Sequence, residues 1–307
     1  MLHLDNAANR RIGIGLVTLT TLCFAVLDTS AKWLVQSLPV LQVVWLRFVF
    51  HVLIASALLA PRYGRELVRV RNWKLQALRA AMMAAMTALN FWALQYLQLA
   101  ETGAIQFSVP LLIALFSAWW LGERLDARRW TAIVAGFAGV LLVIRPGSQA
   151  FHPAILLSVM NALLYAAFNM LTRRLVATES AASLQLMSAL GAALILSPWA
   201  LAAWQWPGSG LAWLAIMLCG LCGGLGHFMV AQAHRYASAA TLAPFLYQQI
   251  IYMTLLGWLV FGQVPGLLVI VGAAVVVTSG LYLLWLEMRH PECPTTDKED
   301  PRCSHAA

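Results

Sequence analysis

The sequence predicts an all-α membrane protein of ten transmembrane helices, arranged as two five-helix repeats of inverted topology with both termini cytoplasmic. Three observations predict it. Hydrophobic residues make up 61% of the 307-residue chain and charged residues only 10%, where a soluble domain carries about 25% charged residues. The apolar excess comes in blocks of about 20 residues, the length a helix needs to cross the hydrocarbon core. Lys and Arg collect in alternate connections, and the two halves of the chain resemble each other.

Taken in order, the blocks fall near 12–35, 39–60, 75–98, 102–121, 129–145, 153–173, 181–203, 211–234, 240–261 and 266–286. None shows the ten-residue alternation of a membrane β-barrel. Arg10 and Arg11 precede the first block. Arg62, Arg65, Arg69, Arg71 and Lys74 fill the second connection, Arg124, Arg128 and Arg129 the fourth, Arg173 and Arg174 the sixth, and Arg235 the eighth. Of the odd-numbered connections only the fifth holds a clear charge, Arg145. Basic residues mark the cytoplasmic side. The net charge of +8 is therefore a topology signal, and nucleic acid is not an expected partner. No cleavable signal peptide is expected, since the first block is too long and no small-residue cleavage site follows it. The five cysteines form no disulfide framework. Cys219 and Cys222 have CxxC spacing inside a Gly-rich block, which reads as small-residue packing, so neither metal nor cofactor is expected. The tail from Pro291 to Ala307 is polar and is expected to be disordered.

The internal repeat has three anchor points. FAVLDTSAKWLV from Phe24 lies on YAAFNMLTRRLV from Tyr165 at an offset of 141, which puts Asp28 on Asn169. NFWALQYLQLAETGA from Asn90 lies on HFMVAQAHRYASAAT from His227 at an offset of 137. Leu121-Gly122-Glu123 lies on Phe261-Gly262-Gln263, leading to Gly136 and Gly272. Because each half holds an odd number of helices, the second must enter the membrane with opposite orientation. The charged ERLDARR of one half accordingly faces the uncharged GQVPG of the other. Inverted repeats are a recurring design of secondary transporters.

The stretches AETGAIQFSVPLLIALFSAWWLGERL and YASAATLAPFLYQQIIYMTLLGWLVFGQVP resemble the two EamA-type halves of the drug/metabolite transporter superfamily. So do Trp130…Gly136-Phe137-Ala138-Gly139-Val140 and Asp28…Lys32…Arg47. The resemblance spans about residues 12 to 287. It implies ten helices, a central cavity lined mostly by the first four helices of each half, peripheral fifth and tenth helices, and alternating access. The expected organisation is an N-terminus at 1–11, repeats at 12–146 and 147–287, and a tail at 288–307. Gln263 departs from the acid usual after Gly in the second half; with Glu123 at the equivalent place, the position reads as structural.

Ionisable groups inside a bilayer are expensive and usually functional. Asp28 and Lys32 lie one turn apart in the first block, and Arg47 and His51 four residues apart in the second. Asp28 and Arg47 are expected to pair in one access state, with substrate or a proton changing the pairing. Their repeat mates Asn169 and Ser188 are neutral. Lys32 is expected to end its helix at the periplasmic interface. Asn161, Tyr165 and Asn169, four apart, form a polar stripe, with Arg173 beyond it. Asn90, Trp92, Gln106, His227, Tyr247, Gln248 and Tyr252 complete the expected cavity. Pro110 and Pro244 free carbonyls at membrane depth. Proton-coupling candidates are Asp28, then Glu101, then His227, although capping a helix is the more natural role for Glu101 and hydrogen-bonded packing for His227.

Such a pocket combines amide, aromatic and phenolic groups with one acid and one base. It suits a small organic metabolite: an amino acid or related zwitterion, or a nucleobase-like or flavin-like solute. Inorganic ions fit poorly, since no carboxylate ring or carbonyl filter is present. Enzyme motifs such as HExxH or GxSxG are absent. A static channel is the closest rival. The other partners expected are the lipid bilayer of a bacterial inner membrane and, compatibly, a second copy in a homodimer.

Overall fold

The computed structural model describes residues 7–121, 126–149, 151–176, 178–237 and 239–289. Glu123 and the tail therefore lie outside the described residues. The chain folds into α1 (Ala7–Leu34), α2 (Val40–Tyr63), a 3-10 turn (Gly64–Val68), α3 (Trp73–Tyr96), α4 (Leu99–Gln106), α5 (Val109–Leu121) and α6 (Ala127–Ile144). There follow α7 (Ile155–Val176), α8 (Ala181–Ala202), α9 (Gly210–Tyr236), α10 (Ala239–Leu246), α11 (Gln249–Phe261) and α12 (Leu267–Arg289). Among the described residues there is no strand, and ten spans are long and apolar enough to cross a membrane. The fourth span is made by α4 with α5 and the ninth by α10 with α11.

Local chemistry sets many of the ends. A free helix N-terminus leaves four N–H groups without partners, which short polar side chains satisfy. Asn72 accepts from Leu75 N at 3.2 Å, Asp126 from Arg129 N at 2.8 Å, Ser180 from Ser183 N at 3.1 Å and Ser209 from Ala212 N at 3.2 Å. Gly262, at φ 65°, closes α11 in the left-handed conformation that glycine adopts without cost.

The two breaks have different origins. Pro110 has no N–H to give the carbonyl four residues back and its ring clashes there. That carbonyl belongs to Gln106, where α4 stops. Pro244 cannot explain the second break by the same rule, because the carbonyl four residues before it belongs to Ala240, inside α10, whereas the chain breaks only after Leu246. There the chain turns at Tyr247 and Gln248, held from outside the helix. Gln248 Nε2 donates to Thr18 Oγ1 at 2.9 Å, and an added Cβ on Gly280 would run into the Tyr247 hydroxyl.

Packing follows one rule. If α1 to α6 are exchanged in order with α7 to α12, most contacts map onto one another. The α1–α9 contact maps onto α3–α7, α2–α9 onto α3–α8, α1–α11 onto α5–α7, and α1–α10 onto α4–α7. The pairs α2–α8 and α6–α12 map onto themselves. The pins at the ends of α2–α8 obey the rule too. Gln42, in the first turn of α2, binds the Gln205 backbone through Nε2→O at 2.6 Å and N→Oε1 at 2.8 Å. Ser183, in the first turn of α8, donates to Arg69 O at 2.9 Å.

Lipid tails are as apolar as leucine, so helix association in a membrane relies on close packing and small residues. In the α6–α12 pair a Cβ on Gly139 would lie 2.8 Å from Gly272 O, and one on Gly272 2.6 Å from Gly139 O. The glycines of α9 act likewise: Gly220 is covered by Phe50 and Gly226 by Phe24.

Candidate functional site

Asp28 on α1 and Arg47 on α2 both reach the same face of α3. Asn90 Nδ2 donates to Asp28 Oδ1 at 3.0 Å, and Arg47 Nη1 donates to Thr87 Oγ1 at 3.3 Å. Thr87 and Asn90 are three residues apart, so they present neighbouring turns of one helix face. The expected Asp28–Arg47 ion pair is not made in this structure, although each charge remains within electrostatic reach of the other. The guanidinium lies over the Phe48 ring at 4.6 Å and is 7% exposed. Its Nε is buried without a partner.

His51, fully buried, comes next on α2. Its ring stacks on His227 of α9 at 5.9 Å, and His227 meets Phe24 edge-on at 5.1 Å. Gln185 Nε2 approaches His51 Nε2 at 3.4 Å, while His51 Nδ1 has no partner. Residues placed far apart in the chain thus form one aromatic wall beside Arg47.

Two other interior cations are better engaged than Arg47. Lys32, expected at the membrane interface, is instead 3% exposed. Its Nζ donates to Leu94 O at 2.7 Å and Leu97 O at 2.6 Å. Those carbonyls end α3 and lack helical partners of their own, which is why a cation settles there. Arg79, overlooked in the sequence, is 6% exposed. It donates through Nε to Thr172 Oγ1 at 3.0 Å and through Nη1 to Leu184 O at 2.7 Å and to Ser188 Oγ, and it stacks on Phe168 at 4.4 Å. It reads along the chain as one more basic residue near the Arg62–Lys74 cluster. The available signal is Gln76 three residues before it, a polar pair on one face of an apolar segment.

The stripe on α7 divides. Asn161 donates to Gln106 Oε1 at 2.9 Å, bracing the α4 break. Tyr165 is half-buried, stacks on Phe168 at 6.2 Å and lies within electrostatic reach of Arg79. Asn169 turns back to the Tyr165 carbonyl at 2.7 Å, and Arg173 is exposed. At the α10–α11 break, Tyr252 donates to Gln248 Oε1 at 3.3 Å, and Tyr247 meets Phe107 at 5.2 Å.

Trp92 does not join this group. Two helical positions from Asn90, it points to nearly the opposite side. It lies on an exposed stripe with Leu78, Ala81, Ala85 and Tyr96. Glu101 Oε2 accepts the Gln98 N–H at 2.9 Å and completes a capping box at the start of α4.

The exchange rule fails for several pairs: α1–α3, α2–α3, α5–α6, α5–α12 and α7–α8 have no comparable counterpart among the described residues, and one failure bears on access. At the end away from the α1 N-terminus, α4 packs on α11 and α12, whereas no comparable contact joins α10 to α5 or to α6 among the described residues. The closed contact is tight. A Cβ on Gly103 would lie 2.9 Å from Met253 Sδ, and one on Gly257 3.7 Å from Leu99 Cβ. An apolar cleft of about 770 Å³ runs outside it between α11 and α12, and a cleft of about 400 Å³ lies near Lys74 and Arg174. Neither holds a residue of the polar cluster. Among the described residues no group of three or more His, Cys, Asp and Glu side chains is placed to hold a metal ion.

A ten-span bundle with two broken spans and charged groups in its interior has the makings of a polytopic transport protein. The chain belongs to the EamA-like transporter family, whose profile matches residues 11–145 and again 152–286. It is 26% identical over 275 residues to the riboflavin transporter of Vibrio cholerae, covering 87% of this chain and 91% of that protein. It is 25% identical over 283 residues to the S-adenosylmethionine uptake transporter of Rickettsia bellii, covering 91% and 95%. It is 24% identical over 272 residues to a pseudopaline exporter of Pseudomonas aeruginosa, covering 88% and 95%. A crystal structure of a protein 20% identical to it superimposes with a TM-score of 0.64 over 94% of this chain and 100% of the other. At that identity the likeness concerns the fold alone.

Proposed function

We propose that this protein is a secondary transporter of a bacterial inner membrane, carrying a small organic metabolite by alternating access. The observation that carries the reading is that α4 closes on α11 and α12, whereas no comparable contact joins α10 to α5 or to α6 among the described residues, although the largest contacts repeat when the halves are exchanged. In a repeat protein of inverted topology, the two halves can trade conformations, which closes one face and opens the other. The basic connections lie at the end of the α1 N-terminus, which supports cytoplasmic termini and a cytoplasm-facing opening in this structure. The relatives named above include both uptake and export proteins, so direction is a separate property from fold.

The cargo in this reading has a flat or apolar part and polar or charged groups, as amino acids, nucleobases, flavins and S-adenosylmethionine do. Coupling to protons through Asp28, or obligate exchange, completes the cycle; Glu101, already engaged as a cap, and His227, stacked between aromatic rings, are weaker carriers. A thermal-shift panel of riboflavin, S-adenosylmethionine, L-amino acids, nucleobases and polyamines finds ligands, since about 100 times Kd adds about 2.7 kcal/mol to the native state. Counterflow in proteoliposomes then tests the mechanism. A carrier gives a transient overshoot of labelled cargo when unlabelled cargo is trapped inside. Simple equilibration with no overshoot would sink alternating access and favour the channel.

A further inference from the structure

Among the described residues three cations, Lys32, Arg47 and Arg79, are buried in the bundle, and they differ in how well they are satisfied. Lys32 has two carbonyls. Arg79 has a carbonyl and two hydroxyls. Arg47 has a single bond of 3.3 Å to Thr87, a buried Nε with no partner and an Nη2 with no protein partner. A guanidinium largely removed from water with most donors idle is costly unless something else meets it.

Asp28 shows the complementary deficit. One oxygen accepts from Asn90, and the other receives no protein donor, although a carboxylate accepts several hydrogen bonds. The two groups lie within electrostatic reach of each other without pairing. Their anchors Thr87 and Asn90 stand three residues apart on α3, a rise of about 4.5 Å. Neither charge has a charged mate in the other half, where Asn169 and Ser188 stand, and Ser188 is taken by Arg79. A repeat of this type therefore packs without them.

We infer that the gap between Asp28 and Arg47 receives an α-amino carboxylate group, its ammonium on Asp28 and its carboxylate on Arg47. The inference rests on the transporter reading and narrows its cargo. The ammonium nitrogen and carboxylate oxygens of such a group are about 3 Å apart, and a hydrogen bond of about 2.9 Å at each end bridges two protein groups too distant to pair directly. The Nε is buried beside Gly223 of α9, so a carboxylate meets the guanidinium through Nη2, which has no protein partner, by a charge-assisted hydrogen bond. The group completes both half-filled partners at once, which neither a neutral heterocycle nor a simple cation or anion does. The side group then meets the wall of Phe24, His227 and His51, on the same face of α2 as Arg47.

Purified protein is titrated with the twenty L-amino acids and the amino-carboxylate members of the transport panel, each against its decarboxylated amine and its deaminated acid. The readouts are thermal midpoint and counterflow. At least one intact compound is expected to bind and exchange, with both trimmed analogues at least about tenfold weaker, as for a lost charge-assisted contact. In Asp28→Asn the intact compound and its deaminated acid bind equally; in Arg47→Gln the intact compound and its amine do. Because each ratio is read within one variant, moderate loss of stability leaves it interpretable. Equal binding of trimmed and intact compounds overturns the inference, as does silence from every amino-carboxylate compound. If another panel member still shows counterflow, the transporter reading survives that failure; if nothing exchanges, both fall.

Discussion

The closed contact between α4 and α11 allows a direct test of movement. In a background with the five native cysteines replaced by alanine, Leu99→Cys and Gly257→Cys put two thiols across it. A Cβ on Gly257 would lie 3.7 Å from Leu99 Cβ, inside the roughly 3.5–4.5 Å spacing of disulfide-bonded cysteines. Gly257 is helical, so cysteine is sterically allowed there. The bond closes a loop longer than 100 residues, and on the chain-entropy account adds about 5 kcal/mol to stability. Replacing the buried Leu99 side chain subtracts about 1–3 kcal/mol, so the oxidised protein gains a few kcal/mol net. Thiol counting with a heavy maleimide reports the bond, and counterflow with and without reductant reports transport. The expected result is near-complete oxidation, a raised thermal midpoint and flux that stops until reductant is added. Full cross-linking with undiminished flux refutes the reasoning, because α4 and α11 then never part during the cycle.

Three further outcomes follow from single positions. Lys32→Met strands the Leu94 and Leu97 carbonyls and is expected to cost about 1–3 kcal/mol per unsatisfied group, seen as a lower midpoint in heated size-exclusion profiles; an unchanged midpoint removes Lys32 from the structural account. Gly139→Val drives a side chain into the Gly272 carbonyl, and overpacking of this kind costs about 1–3 kcal/mol, readable in the same assay, whereas Gly15→Val, with nothing within 4 Å, leaves the midpoint in place. Asp28→Asn is expected to abolish accumulation driven by a pH gradient while leaving residual exchange at high cargo concentration. Full gradient-driven accumulation in that variant would eliminate Asp28 as the proton carrier.

Much of the architecture could be read along the chain, because its causes are local or set by the bilayer. Span number follows from run length against hydrocarbon thickness, and the stop of α4 at Gln106 from the missing N–H of Pro110. The glycines of α9 announce close contacts before the partners are known. The candidate site was legible as a set of residue types. Asp28, Arg47, Asn90, His51 and His227 are conspicuous because polar groups in lipid-length segments are costly.

Partners and directions were not legible, and the reason is distance along the chain. Lys32 binds carbonyls that belong to α3, more than 60 residues away, so its position in the last turn of α1 suggested an interface residue when it is a buried clamp. Arg79 resembled flanking charge until α7 and α8 supplied Thr172, Leu184 and Ser188. Trp92 and Asn90 share a segment, and only the azimuth of α3 in the bundle sends one outward and the other to Asp28. Composition and spacing alone establish ten spans, two related halves and an interior acid and base. Packing alone decides that the acid and base bind separate residues of α3 and that α4 packs on α11 and α12, since both depend on how helices rotate and approach across distances no local pattern encodes.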